Sequence, residues 1–175
     1  MNLLLGVTGS ISIYKSIELL RIFQKSNNSV SVVMTRSAKE LVSPLIFETF
    51  APGRVYSELF NNPGKPILHI DLAKDSDLLL IAPATANIIG KMANGIADDL
   101  LSTVFISFYK KVIISPAMNT NMLNNSAVKD NLLKLKKRGV EIIEPDNGPL
   151  ACSDEGSGRL PAPDEIFKFC MERVK

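Results

Sequence analysis

Two stretches and one residue carry side chains suited to chemistry rather than to packing. The first stretch is "SPAMNTNML", residues 115–123, which follows an apolar run and sets Met118 and Met122 four residues apart with Asn119 and Asn121 between them. On spacing alone it reads as structure: Pro116 stops a strand, Asn119 caps a helix, and both methionines turn inward. The second is "DNGPLACSDEGSGRLPAPDE", residues 146–165, with Cys152 inside it. It is too acidic and glycine-rich for a regular element and lacks the ligand spacing of a calcium loop, and a loop this long in a compact domain is usually functional or disordered. The residue is His69, the only histidine, within "HIDLAKDSD". A lone histidine is commonly structural, yet no other side chain here has a reference pKa, about 6.5, suited to reversible proton transfer near neutrality.

These groups need a scaffold, and the periodicity supplies one. Continuous apolar runs at Leu3 to Thr8, Val30 to Thr35, Leu78 to Ala82, Val112 to Ser115 and Val140 to Ile143 read as strands. Helical patterns fill Ser12 to Lys25, Pro44 to Phe50, Ala86 to Met92, Asp98 to Phe108, Ser126 to Arg138 and Pro163 to Val174. Strands apolar on both faces and separated by helices predict an α/β fold, three layers of Rossmann-like or flavodoxin-like type around a parallel central sheet. At 175 residues, 46% of them hydrophobic, residues 1–175 are expected to form a single domain.

In such folds ligands bind beyond the carboxyl ends of the strands. The first strand-to-helix loop, "GVTGSISIYKS" at residues 6–16, has neither the third glycine of a dinucleotide fingerprint nor the second glycine of a P-loop. Lys15 then falls on the helix, which argues against ATP hydrolysis. Gly9 and Ser10 remain at a helix N-terminus, where free amides attract a phosphate. The second strand ends in "TRSAKE", placing Thr35 and Ser37 beside the same point. Hydroxyls of this kind are ordinary caps singly, but two adjacent hydroxyl-rich strand ends point to a mononucleotide phosphate site. The third strand ends in "APATANIIG", where Ala84 and Ala86 let backbone approach a flat ligand and Thr85 and Asn87 can bond its heteroatoms.

Composition excludes other classes. A net charge of +2 from 20 basic and 18 acidic residues leaves no footprint for nucleic acid, and "KLKKRG" at 134–139 reads as a solvated helix end closed by Gly139. No apolar run is long enough to span a membrane, and the N-terminus reads as a strand rather than a signal peptide. Cys152 and Cys170 form no C-x-x-C pair, so free thiols and a cytoplasmic location are expected. No metal site is expected.

Taken as a set, "GSI" at 9–11, "HIDLAK" at 69–74, "APATAN" at 82–87, "PAMNTNM" at 116–122 and "ACSDEGSGRL" at 151–160 resemble the phosphopantothenoylcysteine decarboxylases, among the homo-oligomeric flavin-containing cysteine decarboxylases. The resemblance spans nearly the whole chain in order. It implies bound FMN, held by Gly9, Ser10, Ile11, Thr35, Ser37 and the Ala84, Thr85, Ala86, Asn87 turn. It implies decarboxylation of 4'-phospho-N-pantothenoylcysteine to 4'-phosphopantetheine in coenzyme A biosynthesis, through thioaldehyde and enethiol intermediates. By the same resemblance His69 is the base of the oxidative half, Asn119 binds the substrate carboxylate, Cys152 donates the proton that completes reduction, and Ala117, Met118 and Met122 wall the substrate pocket. Lys74 either supplies a cation near that carboxylate or is an exposed helix lysine. A trimer or a multiple of trimers is implied, because the family's flavin site lies at subunit contacts, and the synthetase that many members carry fused is expected on a separate polypeptide. Leu123 departs from the family, whose members often have an aromatic residue there. Alternative readings are a lantibiotic-type peptidyl-cysteine decarboxylase, against which Cys152 argues, and a flavin-binding protein without catalysis, which has no use for His69, Asn119 and Cys152 together.

Overall fold

Strands whose side chains are apolar on both faces must be covered twice, and the computed structural model, which describes residues 1–60, 64, 66–149 and 155–174, shows that cover. Strands β1 (Asn2–Val7), β2 (Ser29–Met34), β3 (Val55–Tyr56), β4 (Leu78–Ala84), β5 (Lys111–Pro116) and β6 (Glu141–Ile142) form a parallel sheet in the order β3-β2-β1-β4-β5-β6. On one face lie helices α1 (Tyr14–Lys25), α2 (Arg36–Leu41), α3 (Pro44–Phe50) and α9 (Pro163–Arg173). Their Leu20, Phe23, Ala38, Phe47 and Ile166 bury the Leu3, Leu5, Val32 and Leu80 side of the sheet. The other face carries α4 (Leu68–Asp75), α5 (Ala86–Asn94), α6 (Leu100–Ser107) and α8 (Ser126–Lys137), which pack Leu72, Ile88, Leu101 and Leu135 against Leu4, Leu79, Ile81 and Ile114. Two elements lie outside the layers: the short α7 (Thr120–Asn124) and an antiparallel ribbon of β7 (Asp146–Pro149) and β8 (Glu155–Arg159).

The three-layer expectation is met, and the strand order makes it Rossmann-like. The order reverses between β1 and β4, so the loops leaving those two strands diverge to opposite faces and open a crevice at their carboxyl ends. Two helices escaped the sequence reading. That at 36–41 is too short to show a period, and that at 68–75 follows no capping residue, its N-cap being Ile67 with no side-chain bond, whereas the helix at 120–124 is the one that the Asn119 cap announces. The segment 146–165 is corrected more sharply. It holds the β7–β8 ribbon and the first turn of α9, although Gly148, Gly156 and Gly158 contribute no strand propensity. Outside contacts, described below, hold it in place.

The helix at 100–107 begins two residues later than its pattern suggests because Asp99 is its cap. Asp99 Oδ1 accepts the Ser102 amide at 2.8 Å, while the Ser102 hydroxyl accepts the Asp99 amide at 3.1 Å. Lys91 Nζ reaches the same carboxylate at 2.7 Å. Among the described residues Cys170 is a free thiol, fully buried, and burial pushes it up to about 12. No helix among the described residues is long and apolar enough to cross a membrane.

Burial raises the Asp99 carboxyl, but the Lys91 ion pair and the Ser102 bonds outweigh it and hold the group below the usual aspartate range. A depressed folded-state value gives stability that is complete above the unfolded value and is lost as pH falls through the folded one. Asp99→Ala is therefore expected to lower stability by roughly 1 kcal/mol at pH 7, with the gap to the parent closing in acid. Urea unfolding of both proteins at pH 7 and near pH 3 checks this.

Candidate functional site

The crevice floor is set by side-chain hydroxyls that stitch β1 to β4. Thr8, just past β1 and buried, donates to the Pro83 carbonyl at 2.8 Å and accepts the Thr85 amide at 3.1 Å. Ser16 of α1 donates to the Ala82 carbonyl at 2.8 Å. Backbone that would otherwise lose its partners where β4 leaves the ladder is thereby satisfied. Ala84 pairs with Pro116 and is buried in the core, so it lines neither of the cavities described next.

Above this floor the turn 9–13 closes against α2. A Cβ on Gly9 would come within 2.5 Å of Ser37 Cβ, so only glycine allows the approach. Thr35 caps α2 by accepting the Ala38 amide at 3.3 Å, and the Ser10 and Ser12 hydroxyls lie 3.0 Å apart. Ile11 and Ser12 open the helical segment, so their amides have no earlier helical carbonyl to bond. A cavity of about 210 Å³ results, bordered by Gly9, Thr35, Ser37, Thr85, Ala86 and Asn87. Hydroxyls, exposed amides and a lining without a carboxylate among the described residues suit it to a phosphate.

Next to it lies a larger cavity of about 500 Å³, bordered by Gly9 to Ser12, Thr85, Ala86, Ala117 to Asn119, Met122 and Gly158 to Leu160. Asn119 is the cap of α7, its side chain accepting the Asn121 amide at 2.8 Å. Capping and cavity lining thus coexist in one residue. Met118 is buried, but Met122 is 48% exposed and does not turn into the core as helical spacing suggests. Leu123 packs against the core and lines neither cavity, so that departure from the family leaves these walls untouched.

The β7–β8 ribbon forms the remaining wall. Met118 donates its amide to the Gly158 carbonyl at 3.0 Å, and Thr120 Oγ1 donates to the Ser157 carbonyl at 2.8 Å. Gly156 and Gly158 face this contact, and a Cβ on either would strike Thr120 Oγ1 or the Met118 carbonyl. Lys15, on the second position of α1 and buried, donates to the carbonyls of Leu160 at 2.5 Å and Pro161 at 3.3 Å. Burial, and after it the nearby Arg159, push its ammonium below the usual lysine range. Its place on the helix accords with the reading that this loop is no P-loop.

The structure does not gather every expected residue. His69 lies half-buried in the first turn of α4 and borders neither cavity. Lys74 is exposed on the last turn, its carbonyl accepting from Lys110 Nζ at 3.0 Å, at the amino edge of the sheet and away from the crevice. Cys152 lies outside the described residues. Conversely, Thr8, Ser12 and Arg159 border or brace the site without having been singled out. Thr8 and Ser12 flank the glycine turn, and Arg159 closes the "SGR" run.

Similarity to known proteins bears on this site as a whole. The model of the flavoprotein family matches residues 1–175. The chain belongs to the flavoprotein family. It is 44% identical over 169 residues to the Bacillus subtilis coenzyme A biosynthesis bifunctional protein CoaBC, covering 96% of this flavoprotein and 42% of that protein. It therefore spans less than half the length of such bifunctional relatives. It is 37% identical over 176 residues to a probable phosphopantothenoylcysteine decarboxylase of Streptococcus mutans, covering 99% of this chain and 98% of that one. Among solved structures, a PPC decarboxylase mutant complexed with pantothenoylaminoethenethiol matches with a TM-score of 0.88, 32% identity and coverage of 98% and 97% of the two chains. The FMN-dependent cysteine decarboxylase SpaF matches with a TM-score of 0.86, 27% identity and coverage of 99% and 97%.

If the glycine contacts seat the ribbon, Gly158→Ala must lift it from residues 118–120, since a Cβ would strike the Met118 carbonyl and the residue's φ is +130°. Hydrogen exchange at the Met118 amide is expected to accelerate at least about tenfold, as for a lost protected bond, while amides of β1 and β4 keep their parent rates.

Proposed function

We propose that this flavoprotein binds FMN and decarboxylates 4'-phospho-N-pantothenoylcysteine to 4'-phosphopantetheine in coenzyme A biosynthesis. The observation that carries the reading is the adjacency of the two cavities: one is suited to a phosphate at Gly9, Thr35 and Ser37, and the other is bordered by Asn119 and the ribbon. FMN would be held by Gly9, Thr35, Ser37 and the Thr85 to Asn87 turn and would supply a two-electron acceptor and donor, which the substrate needs because loss of carbon dioxide from an N-acylcysteine otherwise leaves a carbanion with no electron sink.

The chain's residues handle protons and orientation. His69 takes the thiol proton as the CH2–SH group is oxidised to a thioaldehyde. Asn119, whose rotamer is held by its cap bond, orients the carboxylate so that its electrons pass into the C=S group as carbon dioxide leaves. Cys152 would be the acid that protonates the enethiol on its way to the saturated thiol, in a net redox-neutral reaction. His69 borders neither cavity of its own chain, which supports a reacting centre assembled between copies, in a trimer or a multiple of trimers as the resemblance implies.

The purified protein is expected to be yellow, to release FMN on denaturation and to form carbon dioxide from the substrate. A colourless protein that FMN cannot reconstitute would overturn the reading. His69→Asn should keep the flavin and lose its reduction by substrate, followed as bleaching of the flavin absorbance under anaerobic mixing. Cys152→Ser should release carbon dioxide and stall at an enethiol two hydrogens lighter than 4'-phosphopantetheine, because a hydroxyl is a far weaker acid than a thiol of reference pKa about 8.5. Normal saturated product from that variant would mean that Cys152 is not the proton donor.

A further inference from the structure

Charge on the larger cavity is lopsided. Among the described residues its lining includes two ionic side chains, Lys15 and Arg159, both cationic, and no carboxylate. The Lys15 ammonium is committed to the Leu160 and Pro161 carbonyls. Arg159 is exposed and has no carboxylate within ion-pair distance among the described residues, although Asp146 is its register partner across the ribbon. Its guanidinium lies beside Gly148, where an added Cβ would sit 3.4 Å from a guanidinium nitrogen, so the side chain reaches across the ribbon. Two neighbouring cations on one cavity, with no carboxylate on its lining among the described residues, make a receptor for an anion that comes with the ligand.

We propose that Arg159 reads the terminal phosphate of the substrate and makes the cavity selective for the phosphorylated over the unphosphorylated pantothenoyl chain; this deepens, and rests on, the function proposed above. A guanidinium fork matches a phosphate's oxygens in pairs. The carboxylate is not its target: successive strand residues face opposite ways, so Gly158 meets the Met118 carbonyl while Arg159 turns away from the segment that bears Asn119. Nor is the cofactor phosphate, whose cavity at Thr35 and Ser37 Arg159 does not border. What remains at the rim, away from the reacting carbon, is the far end of the substrate.

Calorimetric titration of the FMN-loaded protein with 4'-phosphopantetheine and with pantetheine separates the possibilities without requiring turnover. The parent should prefer the phosphorylated ligand by about 10- to 100-fold, the range of charge-assisted bonds to one arginine. Arg159→Gln should abolish the preference while pantetheine affinity and FMN content stay at parent values, and Arg159→Lys should restore part of it. In steady state the KM for the phosphorylated substrate should rise in the same proportion. Equal weakening of both ligands would place Arg159 at the carboxylate or in the ribbon's structure, loss of FMN would place it at the cofactor, and an undiminished preference or a parent that binds neither ligand would leave it no such role; each overturns the proposal. Absence of carbon dioxide release by the parent would instead overturn the function, an outcome this titration does not depend on.

Discussion

The hydroxyl of Thr8 holds together the place where this sheet changes direction. The loops after β1 and β4 leave for opposite faces, and nothing in the parallel ladder ties them beyond the last paired residues. Thr8 does so by giving a proton to one carbonyl of the β4 turn and accepting one from an amide two residues on. A buried hydroxyl satisfied as donor and acceptor fixes both loops in one geometry, because losing either partner would strand a polar group away from water. The glycine turn, the Thr85 to Asn87 helix start and the space between them all take their positions from that bridge.

A second constraint, steric where the first is polar, places the ribbon. Strand propensity does not explain β8, three of whose five residues are glycine or serine. Gly156 and Gly158 are instead the surface that lets one backbone lie directly on another, with the Met118 amide and the Thr120 hydroxyl supplying directional bonds. The residues nearest the proposed chemistry are thus rigid through backbone contacts and leave their side chains to face the ligand.

The layers were readable in the sequence because burial on both faces leaves an unbroken apolar run, as in Leu78 to Ile81, that no exposed element imitates. That Gly9, Thr35 and Ser37 meet at one cavity was readable because adjacent parallel strands end side by side. The ribbon was not, since its stability lies in contacts with residues some forty positions earlier and its own composition spells a loop. Thr8 was missed for a related reason: its role depends on a carbonyl 75 residues away. Arg159 was hidden by its neighbours, for one cation in a polar loop means little until the fold sets it beside Lys15 on a shared cavity. His69 shows the opposite limit, a residue whose chemical type stands out while it borders neither of the two cavities of the crevice.

Four carbonyls in close succession, those of Ser157, Gly158, Leu160 and Pro161, are bonded to Thr120, Met118 and Lys15 on two separate parts of the molecule. The segment is therefore a strut of set length between the "PAMN" turn and the first turn of α1. A gain or loss of one residue within it would turn every following side chain to the other face, swapping bare glycine for arginine at the contact with Met118. Indels that descendants of this chain could tolerate are thus barred from 156–161, and drift in this part of the protein is confined to substitutions that keep the count.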